Sequence, residues 1–484
     1  MFWIAVHCPR LALDRALRGH PAPVPPVAIC DRRQVLQANE AAEAAGLRAG
    51  TRRATALSLA AGLRVIEHDG AAAREALEQV AGWLLQFTPC VALQDDDGVV
   101  MEVEASLRLF GGEPALLARI RAGLDALGYA ARIACAPTAA AAWLLARWRD
   151  GARIEHASRL VAGLAPLPVE LVASAAPHRE ALAAIGVRRF ADLARLPRDG
   201  LARRFGPALL DEVDAALGRV PEPRRWFEAP ARFGARLELL AQVEHAEALL
   251  FGARRLLAQL VGWLGARQAA VREWTLVAQH DGGRHACDDT RLELRLAQPG
   301  RDLDRMIGVL RERLAALRLP APVHTLRLEC ERVVALPGGA GELFPGSGSE
   351  DEGLARLVER LQARLGRDGV QRLGLEADHR PELACRLEPL DGPVRRVDVP
   401  LPGMPRPLWL LESPLPLAER DRRPWWHGPL TLLAGPERIE TGWWDGQPVQ
   451  RDYFVAEGEA GWVWIFRTRG TDAEIGWFLQ GVFG

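Results

Sequence analysis

The chain has 484 residues, which calls for three to five domains rather than one core. Apolar residues at 49% and charged residues at 25% are globular values, and no run of eighteen apolar residues or signal-type N-terminus occurs, so the composition argues against a membrane protein and predicts a soluble, cytoplasmic one. The net charge of −1, with all 61 basic residues Arg, argues against strong nucleic-acid affinity from charge alone, and seven scattered cysteines without paired spacing predict buried thiols and no metal site.

From the N-terminus, Phe2 to Val6 predicts a strand, Pro9 a break, and the residues after it a helix. Further strands are predicted at Val27 to Ile29, Val99 to Val103 and Ala131 to Cys135. Helical periodicity runs through Ala71 to Leu85 and Glu113 to Leu127, an α/β layer arrangement. A helical insertion is predicted over Arg32 to Leu63.

From Leu164 to about Arg236 short helices follow one another. In AIGVRRFADLARLP, Ala184 to Pro197, a Gly joins two of them in a helix-hairpin-helix sort of turn, which holds DNA phosphates on backbone amides. FGPALLDEVDAALG, Phe205 to Gly218, extends the pattern. Residues 166 to 236 hold twelve Arg against nine acids, a local excess of three.

Leu237 to Leu336 reads β-α-β-β-α-β. Pro337 to Gly353 is a Gly- and Pro-rich linker that contains Leu343-Phe344, an apolar pair in a polar loop. Leu354, Leu357, Val358, Leu361 and Leu365 then share one helix face. The tail holds eight of the fifteen Trp, and RPWWHGP, PERIETGWWDG, RDYFV and WVWIFRTRG alternate as half-buried strands do. Adjacent pairs such as Trp443-Trp444 cannot both face inward on one strand.

In this order the segments resemble a Y-family translesion DNA polymerase. The fold class is multi-domain α/β and α+β: a palm from 1–31 and 64–164, fingers at 32–63, a thumb at 165–236, a little finger at 237–336, a linker at 337–353, and a Trp-rich, β-containing region within 354–484. With GPERIETGWWDG, RDYFV and WFLQGVFG in the tail, the chain resembles the ImuB-type proteins, polymerase-like members of the bacterial SOS mutagenesis cassette.

The resemblance puts the family's metal-binding acids on Ala5, His7, Asp97 and Gly98. It also sets Glu40 and Glu43 where fingers grip the triphosphate, and Ala139 and Trp143 where lysines meet its phosphates. Two-metal chemistry needs several carboxylate oxygens, and acids repel a triphosphate, so neither catalysis nor a bound metal or cofactor is expected. The family further implies DNA contacts at Gly186, Val187, Arg188, Arg189 and Gly206. It implies sliding-clamp binding through Leu343 and Phe344, with Ala340 in place of the usual Gln, and partner binding by the tail, for which Trp443 and Trp444 are the candidates. The implied partners are a RecA-like companion, ImuA, and an error-prone polymerase III α-type subunit, ImuC.

Three readings stay open. The chain is a non-catalytic adaptor in SOS-induced translesion mutagenesis; or an active translesion polymerase whose acids are displaced to Asp14, Asp95, Asp96 or Asp97 with Glu102 or Glu104; or a DNA-binding protein unconnected to replication, for which Leu343 and Phe344 would be dispensable.

Overall fold

The computed structural model describes residues 1–21, 23–280, 287–336, 348–390, 405–469 and 476–483, with side chains from residue 353 onward in the helix that opens at 348. The chain forms two compact units, Met1–Arg364 and Leu365–Gly484.

The first unit opens on β1 (Trp3–His7), one residue beyond the predicted end, and passes Pro9 into α1 (Leu11–Leu17). The next strands correct the sequence reading. β2 (Val27–Cys30), β3 (Val35–Ala38), α2 (Glu40–Ala44), α3 (Arg53–Leu59) and β4 (Arg64–Glu67) make a separate three-stranded layer in the order β3-β2-β4. The stretch read as wholly helical thus contains a strand, and Val27–Ile29 joins this layer rather than the sheet of β1. Asn39 fixes the entry to α2, its Oδ1 accepting from the amides of Ala42 and Val27.

Then come α4 (Gly70–Leu84), β5 (Val91–Gln94), β6 (Gly98–Glu102), α5 (Glu113–Leu127), β7 (Arg132–Ala136) and α6 (Ala139–Trp148). They complete an antiparallel sheet in the order β5-β6-β1-β7. Strand alternation sends Ile4 and Val6 into a core with α4 and α5, and Trp3 and Ala5 into a second core with α6. Both faces of β1 are therefore covered, which is why it reads as an unbroken apolar run.

α7 (Leu160–Leu164), α8 (Arg179–Ala184), α9 (Phe190–Ala194), α10 (Arg198–Phe205) and α11 (Pro207–Ala216) follow. The fully buried Asp214 carboxylate takes both terminal nitrogens of Arg198 at 2.5 Å and one of Arg219 at 3.3 Å, pinning α10 to α11.

The predicted β-α-β-β-α-β order is present as β8 (Phe233–Val243), α12 (Leu249–Ala266), β9 (Ala269–His280), β10 (Thr290–Gly300), α13 (Leu303–Ala315) and β11 (Val323–Cys330). The sheet order is β10-β9-β11-β8 with every pair antiparallel, so β11 lies between the parallel pair β8 and β9, a split β-α-β. α12 packs on α4 and α5, with Trp83 as the wedge. A Cβ on Gly123 or on Gly262 would lie 2.0 and 2.1 Å from its indole, so both positions must be Gly.

β12 (Val334–Ala335) adds to β9, and beyond the linker runs α14 (Gly348–Leu365). Leu343 and Phe344 lie outside the described residues. The leucine face of α14 is the outer one: Leu354, Leu357 and Leu365 are each more than half exposed, and the residue driven inward is Glu359.

In the second unit β13 (Gln371–Leu375) and β14 (Cys385–Pro389) form a hairpin. β15 (Trp409–Arg420), β16 (Arg423–Trp425), β17 (Thr431–Thr441), β18 (Val449–Gly458), β19 (Gly461–Thr468) and β20 (Trp477–Val482) form an antiparallel sheet in the order β16-β15-β20-β19-β18-β17. Its centre is Tyr453 stacked on Trp464 at 4.3 Å, both fully buried. Trp443 and Trp444 are not on a strand as GWWDG had suggested. They sit in the turn after β17, between Gly442 and Gly446 at φ +83° and +77°, and are 73% and 56% exposed.

Candidate functional site

β1 and β6 run antiparallel with His7 opposite Gly98 and Ala5 opposite Val100, so the strand end reaches the β5–β6 turn through His7. His7 and Asp97 meet, Nε2 to Oδ2 at 3.2 Å, and the Cys8 amide donates to the Asp97 carbonyl at 2.8 Å. Ala5 is fully buried among Val100, Ala134 and α6, one pleat below. Of the four residues set on acid positions, the structure brings His7, Asp97 and Gly98 together and leaves Ala5 in the core.

The space beside them is filled. A Cβ at Gly98 would lie 2.1 Å from the six-membered ring of Trp143, which is itself 5% exposed. The indole stands edge-on to His7, with ring centroids 5.3 Å apart at 88°, and its Nε1 donates to Asp95 Oδ2 at 3.0 Å. Asp95 adopts φ +50° in the β5–β6 turn. The missing side chain at 98 and the large one at 143 are two halves of one packing arrangement.

The start of α6, where the resemblance puts contacts to incoming phosphates, is also taken. Thr138 caps it, its Oγ1 accepting from the Ala141 amide, and Glu222 accepts from the Ala140 amide at 3.2 Å. Glu222 is held by Arg224, which also reaches Gln94. A carboxylate already sits on the amides that would draw a phosphate. Glu222 and Arg224 escaped the sequence reading: in VPEPRR, between a helix and a strand, no periodicity or spacing marks them.

Metal chemistry does not fit this arrangement. Among the described residues no three or more His, Cys, Asp or Glu side chains are placed to hold an ion. Burial, with Asp14 and Asp97 nearby, pushes the Cys8 thiol up to about 12, so it offers no thiolate. The remaining acids serve elsewhere. Glu102 accepts from the amides of Phe2 and Glu104 at the far end of β6, and Glu104 pairs with the N-terminal ammonium at 2.5 Å. Five residues of strand put that end on the order of 15 Å from Asp97.

Asp14 is also spent on structure: its carboxylate accepts from the Ala130 amide at 2.9 Å. Burial raises it to about 6, with that hydrogen bond and then Arg10 and Arg255 opposing. Since the unfolded value is ~3.9, ionisation costs the native state more; the penalty is absent below ~3.9 and complete above the folded value, on the order of 2–3 kcal/mol. Asp14→Asn keeps the acceptor and removes the charge. It is expected to raise the melting temperature more at pH 8 than at pH 5; equal gains at both would count against the assignment.

Glu40 and Glu43 are exposed in the first turn of α2, where acids complement the helix dipole. In the turn between α8 and α9, Gly186 has φ +81° and Val187 is buried. The amides of 186 and 187 donate to Ala183 and Leu182, and those of Arg188 and Arg189 to the Asp192 carboxylate at 3.2 and 3.0 Å. Their exposed guanidinium groups, rather than these amides, are the groups this turn presents to a phosphate. Gly206, φ +89°, opens α11 ahead of Pro207, and no side chain caps that helix.

No helix among the described residues is long and apolar enough to cross a membrane. Residues 9–147 match the impB/mucB/samB family model. Protein ImuB of Caulobacter vibrioides, in strains NA1000 / CB15N and CB 15, is 31% identical over 465 residues, covering 91% of this chain and all of the relative. Among solved structures, DinB from Sulfolobus solfataricus is 15% identical, covering 70% of this chain and all of its own, with a TM-score of 0.38. The insertion ternary complex of Dbh DNA polymerase is 14% identical, with 69% and 100% coverage and a TM-score of 0.39.

Proposed function

The chain belongs to the ImuB family, and on that premise we propose that it is a non-catalytic, polymerase-like adaptor in SOS-induced translesion mutagenesis, which grips DNA and brings an error-prone polymerase to it. The carrying observation is the indole of Trp143 in the space a side chain at 98 would need, beside a single carboxylate, Asp97. Two-metal phosphoryl transfer has no ligand set there.

In this reading the sheet of β1 with α4 to α6 is a palm, the layer of β2 to β4 the fingers, α7 to α11 the thumb, and the split β-α-β layer a little finger. DNA lies along Arg188, Arg189 and the start of α11 at Gly206. Leu343 and Phe344 engage a sliding clamp as two apolar anchors. The exposed pair Trp443 and Trp444 serves as a protein contact, since large aromatics displayed on a rigid turn lose little entropy on docking. The RecA-like ImuA and the polymerase ImuC are the partners to test against it.

Primer extension with the purified chain, Mg²⁺ or Mn²⁺ and four dNTPs, on undamaged and lesion-bearing templates, decides the catalytic question. The expected result is a primer–template shift in binding assays with no added nucleotide. Extension abolished by Asp97→Ala would overturn the adaptor in favour of a polymerase with displaced acids.

A further inference from the structure

Between α4, α12 and the segment leading into β8 lies a cleft of about 200 Å³ that the reading above does not use. Its walls are aromatic, with Trp83, Phe227, Phe233 and Trp263, and Glu75 and Glu78 stand at its rim together with Arg232.

A chain of hydrogen bonds fixes its polarity. Gln79 Nε2 donates to Glu75 Oε1 at 3.3 Å, and Gln259 Nε2 donates to Gln79 Oε1 at 3.0 Å. A carboxylate only accepts, so Gln79 must turn its NH₂ to Glu75 and its oxygen to Gln259. That turns the Gln259 NH₂ toward Gln79 and leaves Gln259 Oε1 an acceptor. Gln259 is 4% exposed and its Oε1 has no donor. A buried acceptor left bare costs ~1–3 kcal/mol, so the cleft favours an occupant that donates.

We infer that this cleft binds a flat cation on an apolar stem, an amidinium or guanidinium, with its N–H on Gln259 Oε1, its body between Trp83 and Phe227, and its charge near Glu75 and Glu78. The wall already tolerates such a group on one side: the Arg267 guanidinium lies 4.1 Å over the Trp263 ring. Acidic rim, aromatic walls and bare acceptor select together against anions and against apolar groups that cannot donate.

The chemistry has two sources, a free small molecule or an arginine side chain of a bound peptide. Saturation-transfer NMR and calorimetry on the full chain, with benzamidine, an arginine-containing dodecapeptide and benzoate as probes, separate them. Benzamidine is expected to bind and benzoate not. Tighter binding of the peptide than of its Arg→Gln version assigns the site to a protein partner, and binding of benzamidine alone assigns it to a small ligand.

Gln259→Leu is expected to weaken benzamidine about tenfold, the loss of one hydrogen bond, and Gln259→Glu to preserve or tighten it. Both variants are to be checked for an unchanged melting temperature. Glu75→Gln, at the exposed rim, is the second variant should Gln259→Leu not fold, and it is expected to weaken benzamidine several-fold. No benzamidine binding to the wild-type chain at 10 mM, or equal binding to wild type and the folded variants, would overturn the inference.

Discussion

Gly98→Glu, which restores the acid that the polymerase pattern places there, is expected to unravel the palm-like sheet rather than rebuild a metal site. The new Cβ would lie 2.1 Å from a ring carbon of Trp143. That ring is buried between His7 and α6 and tied to Asp95, so it has no open space to move into. Overpacking of this kind costs ~1–3 kcal/mol, and stranding a carboxylate in the core adds to it. Trp143→Ala alone opens a cavity and costs ~3–5 kcal/mol.

The two changes together should cost less than their sum by ~0.5–3 kcal/mol, because each removes the obstacle the other meets. A chain of several domains has no single unfolding free energy, so the readout is hydrogen-exchange protection of β1 and β6 amides in the two single variants and the double one. Protection in Gly98→Glu equal to wild type, or simple additivity in the double variant, would show that Trp143 does not fill the vacated site.

That pair shows what the sequence could and could not disclose. The loss of acids is legible one position at a time, and so are a Gly at 98 and a Trp at 143. Their complementarity is not, because 45 residues separate them and only the β1–β6 register with α6 above it brings them into contact. The same register separates Ala5 from His7: strand period puts both on one face, but only the residue at the strand end reaches Asp97.

The β-α-β-β-α-β region was legible because its strands and helices are long and strongly periodic. The small layer of β2 to β4 was not. Each of its strands has four residues, β4 is nowhere fully buried, and an Ala-rich run such as EAAEAA carries helix propensity whatever surrounds it. In the tail, GWWDG passed for a strand since aromatic pairs mimic alternation, whereas its two flanking glycines in the left-handed region make it a turn. α14 exposes a different limit: periodicity identifies an apolar face without saying that it docks.

What holds α14 is charge. Glu359, its side chain 1% exposed, takes Arg305 in a fork: Nε donates to Oε2 at 2.8 Å, a terminal nitrogen donates to Oε1, and the Ala297 amide donates to Oε1 at 2.6 Å. Glu359→Ala is therefore expected to release the helix from the split β-α-β layer while the rest of that layer keeps its fold. Removing one partner of a buried pair costs ~3–5 kcal/mol, since the other charge stays behind without it, and a helix whose leucines face outward has little else to offset the loss.

Hydrogen exchange over 353–365 should accelerate toward the unprotected rate, and limited proteolysis should cut there first. Protection equal to wild type would mean that apolar contacts of Val358 and Ala363 suffice. A paired change, Arg305→Met with Glu359→Leu, separates attachment from charge, because apolar replacements of a buried ion pair are often neutral or stabilising by ~1–4 kcal/mol. Recovery of protection in that double variant would make the fork a device for register. It would hold the helix so that the two ends of the 337–353 linker, at β12 and at α14, belong to one layer, and Leu343 and Phe344 lie on a closed loop rather than on a free tether.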